Sequence, residues 1–150
     1  MDLGAQLPHG ALRVFVMGER AIGLENANQA DIAQMRQIAA EELDVAPESL
    51  TLIEVDTAQS PNEGQTAGSQ SIEQSGTALR MAGAEVRAML VDLAAAKLGV
   101  AAATLKVTDG VVIAPDGRKV AYGELAAQAN LKREATAKVS PKPPAQHTIV

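Results

Sequence analysis

The sequence predicts an α/β (α+β) fold, with a mixed sheet, two main helices and a β-meander near the C-terminus. Three observations support this class: two long segments with helical spacing of apolar residues, two short β-branched segments, and two turn signals close together. The chain has 150 residues, the length of one ordinary domain.

Two segments carry apolar residues at helical spacing. Residues 29–43 place Ala39 and Leu43 on one face, and residues 77–98 carry a longer apolar stripe that begins at Leu79. A short helix is predicted over residues 122–130. The tail from residue 135 onward contains three prolines and is expected to be extended.

Strands are predicted where short apolar segments lie between turn signals. Residues 11–17 and 49–55 are each typical of a strand. Asp109-Gly110 and Asp116-Gly117 are sequences that favour tight turns, and they separate three further short segments. The meander that they predict has its strands over residues 105–108, 111–114 and 118–121.

One pattern occurs twice in the chain. Residues 39–50 and 94–105 both contain a helix end at Leu, a Val two residues later and a second Leu five residues after that Val. We favour the explanation that helix–turn–strand geometry imposes the same pattern twice. Gene duplication is the alternative.

The composition excludes several classes of function. With 13 basic and 18 acidic residues the formal net charge is −5, which argues against a general binder of nucleic acid or of anionic membranes. The chain has no cysteine, so disulfides and thiolate metal sites are excluded. It also shows no apolar segment typical of a membrane span and no signal-peptide pattern, which leaves a cytoplasmic and a periplasmic location both open.

The segment before the second main helix is the strongest candidate for chemistry, because it is rich in small and hydroxyl-bearing residues. Its backbone amides and hydroxyls could hold a phosphate at the start of the helix, or it could be a flexible loop that Ser71 caps. Elsewhere, the acidic residues at positions 41, 42 and 44 are interpreted as a solvated helix end. His9 and His147 are isolated and are expected to be solvated as well.

The candidate segment also carries a family resemblance. Thr66-Ala67-Gly68-Ser69-Gln70-Ser71, with residues 56–64 before it and Ser75-Gly76-Thr77-Ala78-Leu79-Arg80 after it, resembles the large subunit of molybdenum hydroxylases. This is the xanthine dehydrogenase and aldehyde oxidase family, and the likeness is greatest to the branch of the isoquinoline 1-oxidoreductase beta subunit. The resemblance implies that residues 10–150 are part of a larger molybdopterin-binding domain and that residues 1–9 are an N-terminal extension.

The resemblance also implies the cofactor and the residues that contact it. The cofactor is a molybdopterin dinucleotide with molybdenum, in the cytosine form. The family's Gly-Gln-Gly motif, whose Gln lies beside an oxo ligand of molybdenum, aligns with Gln29, here flanked by Asn28 and Ala30. Gln29 is therefore the candidate catalytic residue. The candidate cofactor-binding residues are Thr66, Ala67, Gly68, Ser69, Gln70 and Ser71.

The function that the resemblance implies is oxidation. The family hydroxylates aldehydes or N-heterocycles with water-derived oxygen, and electrons leave through iron–sulfur clusters on another subunit or domain. The implied partners are the remainder of the large subunit, that iron–sulfur subunit or domain, and a small-molecule substrate. Since the family's large subunit is several times longer, the chain is expected to be a fragment that is inactive alone. The alternatives are a diverged, non-catalytic cofactor-binding or interaction module and a truncated reading frame without independent activity.

Overall fold

A computed structural model describes residues 28–51, 77–129, 131 and 136–148, together with Met17. This part of the chain contains helices and a three-stranded antiparallel sheet. The α/β (α+β) class predicted from the sequence is therefore confirmed.

The two main helices lie where the apolar spacing predicts them. Helix α1 spans Gln29–Leu43 and helix α2 spans Thr77–Leu98. Leu79 and Leu90 of the predicted stripe on α2 are buried, which shows that this stripe faces the interior, and Ala94, which the prediction did not include, is buried as well.

The three strands of the meander are β1 (Lys106–Thr108), β2 (Val111–Ile113) and β3 (Lys119–Ala121). They pair in the order β1-β2-β3, with each strand antiparallel to the next. Asp109 and Gly110 join β1 to β2 with φ angles of 48° and 68°. Both residues have a left-handed backbone conformation, which a two-residue hairpin turn requires if it is to match the right-handed twist of the strands.

Helix α3 spans Tyr122–Ala126 and is shorter than the predicted 122–130. The chain tightens after Ala126, because the Gln128 N–H donates to the Leu125 carbonyl only three residues back. The predicted helix therefore ends in a turn.

Most of the two other predicted strands lies outside the described residues. The structure describes four of their positions, residues 17 and 49–51; Leu50 has an extended backbone, but at residues 17 and 49 the prediction is wrong. Met17 is buried and has a helical backbone, and Ser49 lies in a 3-10 turn over Pro47–Ser49. Proline fixes its own φ at a value that suits the start of such a turn.

The core lies where α2, the sheet and α3 meet. Its fully buried members come from all three elements and are aliphatic except for one tyrosine. They are Leu90, Ala94, Val112, Val120, Tyr122 and Leu125. Val45, which follows α1, packs against this cluster and so connects the first helix to it.

The repeated sequence pattern forms the same backbone structure twice. The residue after each helix has a positive φ, 55° at Asp44 and 67° at Gly99. The next residue is valine in both copies, and its N–H donates at 3.2 Å to the carbonyl of an alanine five residues earlier. A 3-10 turn then follows, Pro47–Ser49 in one copy and Ala102–Thr104 in the other. Shared helix-end geometry is therefore enough to account for the pattern.

Candidate functional site

The predicted cofactor-binding segment, residues 66–71, lies outside the described residues. The helix that follows it is described and begins at Thr77, as predicted. Thr66, Ala67, Gly68, Ser69, Gln70 and Ser71 therefore remain predicted site residues.

Gln29 is the first residue of α1 and is exposed. Asn28 and Ala30 on either side of it are exposed as well. A side chain at the first turn of a helix and open to solvent is accessible to a ligand. The role of Gln29 beside molybdenum stays a prediction.

The acidic residues at the end of α1 are not a solvated helix end throughout, so that interpretation is wrong for Glu42. Its side chain is only 1 % exposed. One carboxylate oxygen accepts a hydrogen bond from Arg80 Nε at 2.8 Å, and the other accepts from the Lys142 backbone N–H at 3.0 Å. A carboxylate tolerates such burial because an opposite charge and hydrogen bonds replace its lost hydration.

Glu42 approaches α2 at a glycine. A Cβ built on Gly83 would lie 2.9 Å from the Glu42 Cβ, closer than real Cβ atoms come. Glycine at position 83 therefore allows the backbone of α2 to pass directly beside this buried acid.

A second carboxylate on the same side of the structure, Asp44, forms ion pairs with both Arg87 and Lys142. Arg87 belongs to α2 and Lys142 to the C-terminal tail, so Asp44 joins three parts of the chain. Its positive φ places it just beyond the end of α1, where the side chain can reach both cations.

A third acid, Glu85 on α2, is 5 % exposed and receives the tail at another point. Its carboxylate accepts from the Thr136 N–H at 2.7 Å and from the Thr136 Oγ1 at 3.2 Å. Residues 136–148, which we call the strap, are thus attached to both main helices. Glu85 lies beside the apolar stripe of α2, three residues after Ala82, and this position is the signal in the sequence from which its burial could have been predicted.

His147 is also part of this polar cluster, and the prediction that it is solvated is wrong. Its Nε2 lies 3.3 Å from Arg80 Nη2 and 3.8 Å from a Glu42 carboxylate oxygen. No local signal indicates this contact, because His147 is 105 positions after the acid that it approaches. Only the path of the strap brings the two together.

A shallow groove of about 340 Å³ lies beside this cluster, between the end of α1 and strand β1. Three carboxylate residues line it, Glu41, Asp44 and Asp109, together with apolar atoms of Val45 and Val107. Within the described residues there is no group of three or more His, Cys, Asp or Glu side chains placed to hold a metal ion. No helix in the same part of the chain is long and apolar enough to cross a membrane.

Comparison with known proteins identifies the class. The family model for the molybdopterin cofactor-binding domain matches residues 20–147, which is most of the chain. This chain therefore belongs to the molybdopterin cofactor-binding domain family. Among curated proteins it is similar to a nicotinate dehydrogenase subunit of Pseudomonas putida, with 36 % identity over 91 residues. The aligned segment covers 61 % of this chain and 8 % of that relative, so the chain spans only a small part of the relative's length.

The groove between α1 and β1 does not fit the cofactor of this family. A molybdopterin dinucleotide carries anionic phosphates, whereas the lining residues Glu41, Asp44 and Asp109 are acids. Like charges at short range repel, and the two cations that pair with Asp44, Arg87 and Lys142, are not among the groove's lining residues. Among the described residues, exposed Gln29 therefore remains the candidate for contact with the cofactor.

Proposed function

We propose that the chain is the molybdopterin-binding segment of an oxidoreductase that hydroxylates aldehydes or N-heterocycles with water-derived oxygen. The observation that carries the proposal is the family match over residues 20–147, which spans both candidate sites. The bound group would be a molybdopterin dinucleotide with molybdenum, in the cytosine form, and it would supply the oxygen-transfer and electron-accepting chemistry.

In this proposal the chain's own residues bind and orient the cofactor. Thr66, Ala67, Gly68, Ser69, Gln70 and Ser71 contact its phosphate and pterin portions. Small residues allow backbone N–H groups to come close to phosphate oxygens, and the hydroxyls of Ser69 and Ser71 can donate further hydrogen bonds. The beginning of α2 at Thr77, shortly after this run, is in keeping with such a site.

Gln29 would place its carboxamide beside the metal from the first turn of α1. Its exposure is in keeping with contact to a ligand. Asn28 and Ala30 stand where the family has glycines, and side chains at these two positions restrict how closely the backbone can approach the cofactor. This departure favours the second candidate function, a diverged module that binds a cofactor or partner without catalysing oxidation.

The proposed partners are the remainder of a large subunit, an iron–sulfur subunit or domain, and a small-molecule substrate. The alignment over 8 % of the nicotinate dehydrogenase relative supports a role as one part of a larger assembly. The branch of the isoquinoline 1-oxidoreductase beta subunit is the proposed place within the family.

The test is to express the chain together with the segments encoded beside it and to measure molybdenum and pterin in the purified complex. We expect both to be present in stoichiometric amounts, and to be lost when Ser69 and Ser71 are changed to Phe, because bulky side chains would fill the space that the phosphates need. Ser49→Phe, at an exposed position in a 3-10 turn, is the matched control and should retain both.

The outcomes distinguish the two candidate functions. A complex that contains pterin but does not oxidise aldehydes or N-heterocycles would favour the non-catalytic module. A complex with neither molybdenum nor pterin would refute the proposal.

A further inference from the structure

The strap is attached to the helices through both its backbone and its side chains, and three of the backbone contacts are of one kind. The N–H groups of Thr136, Lys142 and Thr148 each donate to a glutamate carboxylate, at 2.7, 3.0 and 3.0 Å. The accepting residues are Glu85, Glu42 and Glu41, respectively. The three donors are six residues apart along the strap. The prediction of an extended tail is wrong at a 3-10 turn over Pro144–Gln146, which lies between the second and third donors and brings both to neighbouring acids of α1.

Lys142, the central residue of the strap, is bound through three of its groups. Its N–H donates to Glu42, its carbonyl accepts from Arg80 Nη2 at 2.7 Å, and its ammonium group pairs with Asp44. The Lys142 side chain is only 10 % exposed. This position therefore combines backbone recognition with selection for a basic side chain.

The strap contributes little to the apolar interior. None of residues 136–148 is buried, whereas the acids Glu42 and Glu85 beneath them are 1 % and 5 % exposed. Its attachment thus depends on polar contacts, while the core of α2, the sheet and α3 is packed without it. Segments with few buried apolar contacts open at a lower free energy than the core does.

We propose that the carboxylate-bearing face of α1 and α2 is a binding surface for the strap, and that the strap, with its central lysine, is a detachable intramolecular ligand of this face. The strap opens and closes as one unit while the core remains folded. This inference does not depend on the proposed cofactor site.

Amide hydrogen exchange of the 150-residue chain, measured by NMR, tests the proposal. We expect the amides of Thr136, Lys142 and Thr148 to exchange more slowly than that of exposed Ala137 and faster than that of core residue Leu90. Glu42→Gln removes a charged acceptor and should accelerate exchange of all three strap amides by a common factor of about ten or more. Exchange at Leu90 should accelerate by the same factor, because global unfolding breaks the same contacts, and it should remain slower than exchange of the strap amides.

Two further variants complete the test. Thr136→Val, on the exposed strap, removes only the hydroxyl donor to Glu85 and should also accelerate the three strap amides together, by a smaller factor. Glu48→Gln, at an exposed position in the Pro47–Ser49 turn, is the control and should leave all rates unchanged. Acceleration of one amide alone in Glu42→Gln or Thr136→Val would show that the strap does not open as a unit. Strap amides protected as strongly as the amide of Leu90 would show that the strap opens only with the core, and either result would overturn the proposal.

Discussion

Glu42 illustrates how this molecule keeps charged groups in its interior. Removing a carboxylate from water costs several kcal/mol, and the pairing with Arg80 and the Lys142 N–H offsets that cost. The apolar spacing of α1 predicts that residue 42 lies in a helix. It does not reveal that two distant segments of the chain cover the side chain of this residue. A run of acidic residues in a sequence looks the same whether its members are solvated or paired.

Tyr122 is a second unusual residue, because its buried hydroxyl has no hydrogen-bond partner within the described part of the chain. Burial raises the pKa of this phenol above its ordinary value, and the nearby carboxylate of Asp44 adds to the rise while Arg87 opposes it. In the unfolded chain the same phenol ionises near pH 10. The folded form holds the neutral phenol, so ionisation of the unfolded chain lowers stability as the pH rises above about 10.

The resulting prediction concerns the free energy of unfolding between pH 7 and 11. It should be independent of this residue below about pH 9, and above pH 10 it should fall by up to about 1.4 kcal/mol per pH unit because of Tyr122. Tyr122→Phe should remove that component, and at pH 7 it should be neutral or stabilising by about 1 kcal/mol, since it deletes an unpaired buried hydroxyl. Denaturant titrations of both proteins measure the difference. Identical pH profiles for the two would contradict the prediction.

Among the elements, the β1–β2 turn connects the sheet to the end of α1. The Gly110 N–H donates to the Asp44 carbonyl at 2.8 Å, and Asp109 Oδ1 accepts from the Ala46 N–H at 2.8 Å. A Cβ at Gly110 would also lie 3.3 Å from a methyl group of Val45. Position 110 therefore has two requirements: a left-handed backbone conformation, and the absence of a side chain that would contact Val45.

Two glycine substitutions test the backbone requirement and the contact with Val45 separately. Gly110 and Gly117 both have a positive φ, but nothing lies within 4 Å of a Cβ built on Gly117. Gly117→Ala should lower the free energy of unfolding by about 1–2 kcal/mol through backbone strain alone. Gly110→Ala should cost more, because Val45 must also move. Thermal denaturation followed by circular dichroism compares the two, and an equal loss of stability would show that the contact with Val45 is unimportant.

The elements also show what the sequence can and cannot predict. Local signals predict these elements. Apolar spacing predicts both ends of α1 and α2, and Asp-Gly at the turn predicts the β1–β2 hairpin. The contacts of Lys142 with Glu42 and Asp44 join residues about 100 positions apart, and no local signal encodes such a pairing. The candidate residues at positions 66–71 are predicted from a family resemblance and from small side chains before a helix, and they lie outside the described residues.

At the scale of the whole molecule, the core that the described residues form is built from small side chains. It contains one aromatic residue, Tyr122, and otherwise valine, leucine and alanine, which each bury little area. The whole chain has one Phe, one Tyr and no Trp, so burial of aromatic area provides little driving force against the conformational entropy of 150 residues.

We therefore expect the isolated chain to be marginally stable or to aggregate. Calorimetry combined with size-exclusion chromatography of the purified chain measures this, with the same chain co-expressed with its neighbouring segments as the comparison. A cooperative transition at high temperature from a monomeric chain would contradict the expectation.

Attachment of the strap through backbone N–H groups also limits where proline can occur within it. Proline has no N–H, so it is incompatible with the three donor positions and compatible with most positions between them. The strap contains prolines at positions 141, 143 and 144, on both sides of Lys142 but at none of the donors. The prolines fix φ at three positions of the free segment, so less conformational entropy is lost when it binds. Substitution at the other exposed positions should be tolerated, and residues 136, 142 and 148 should accept almost any residue type better than proline.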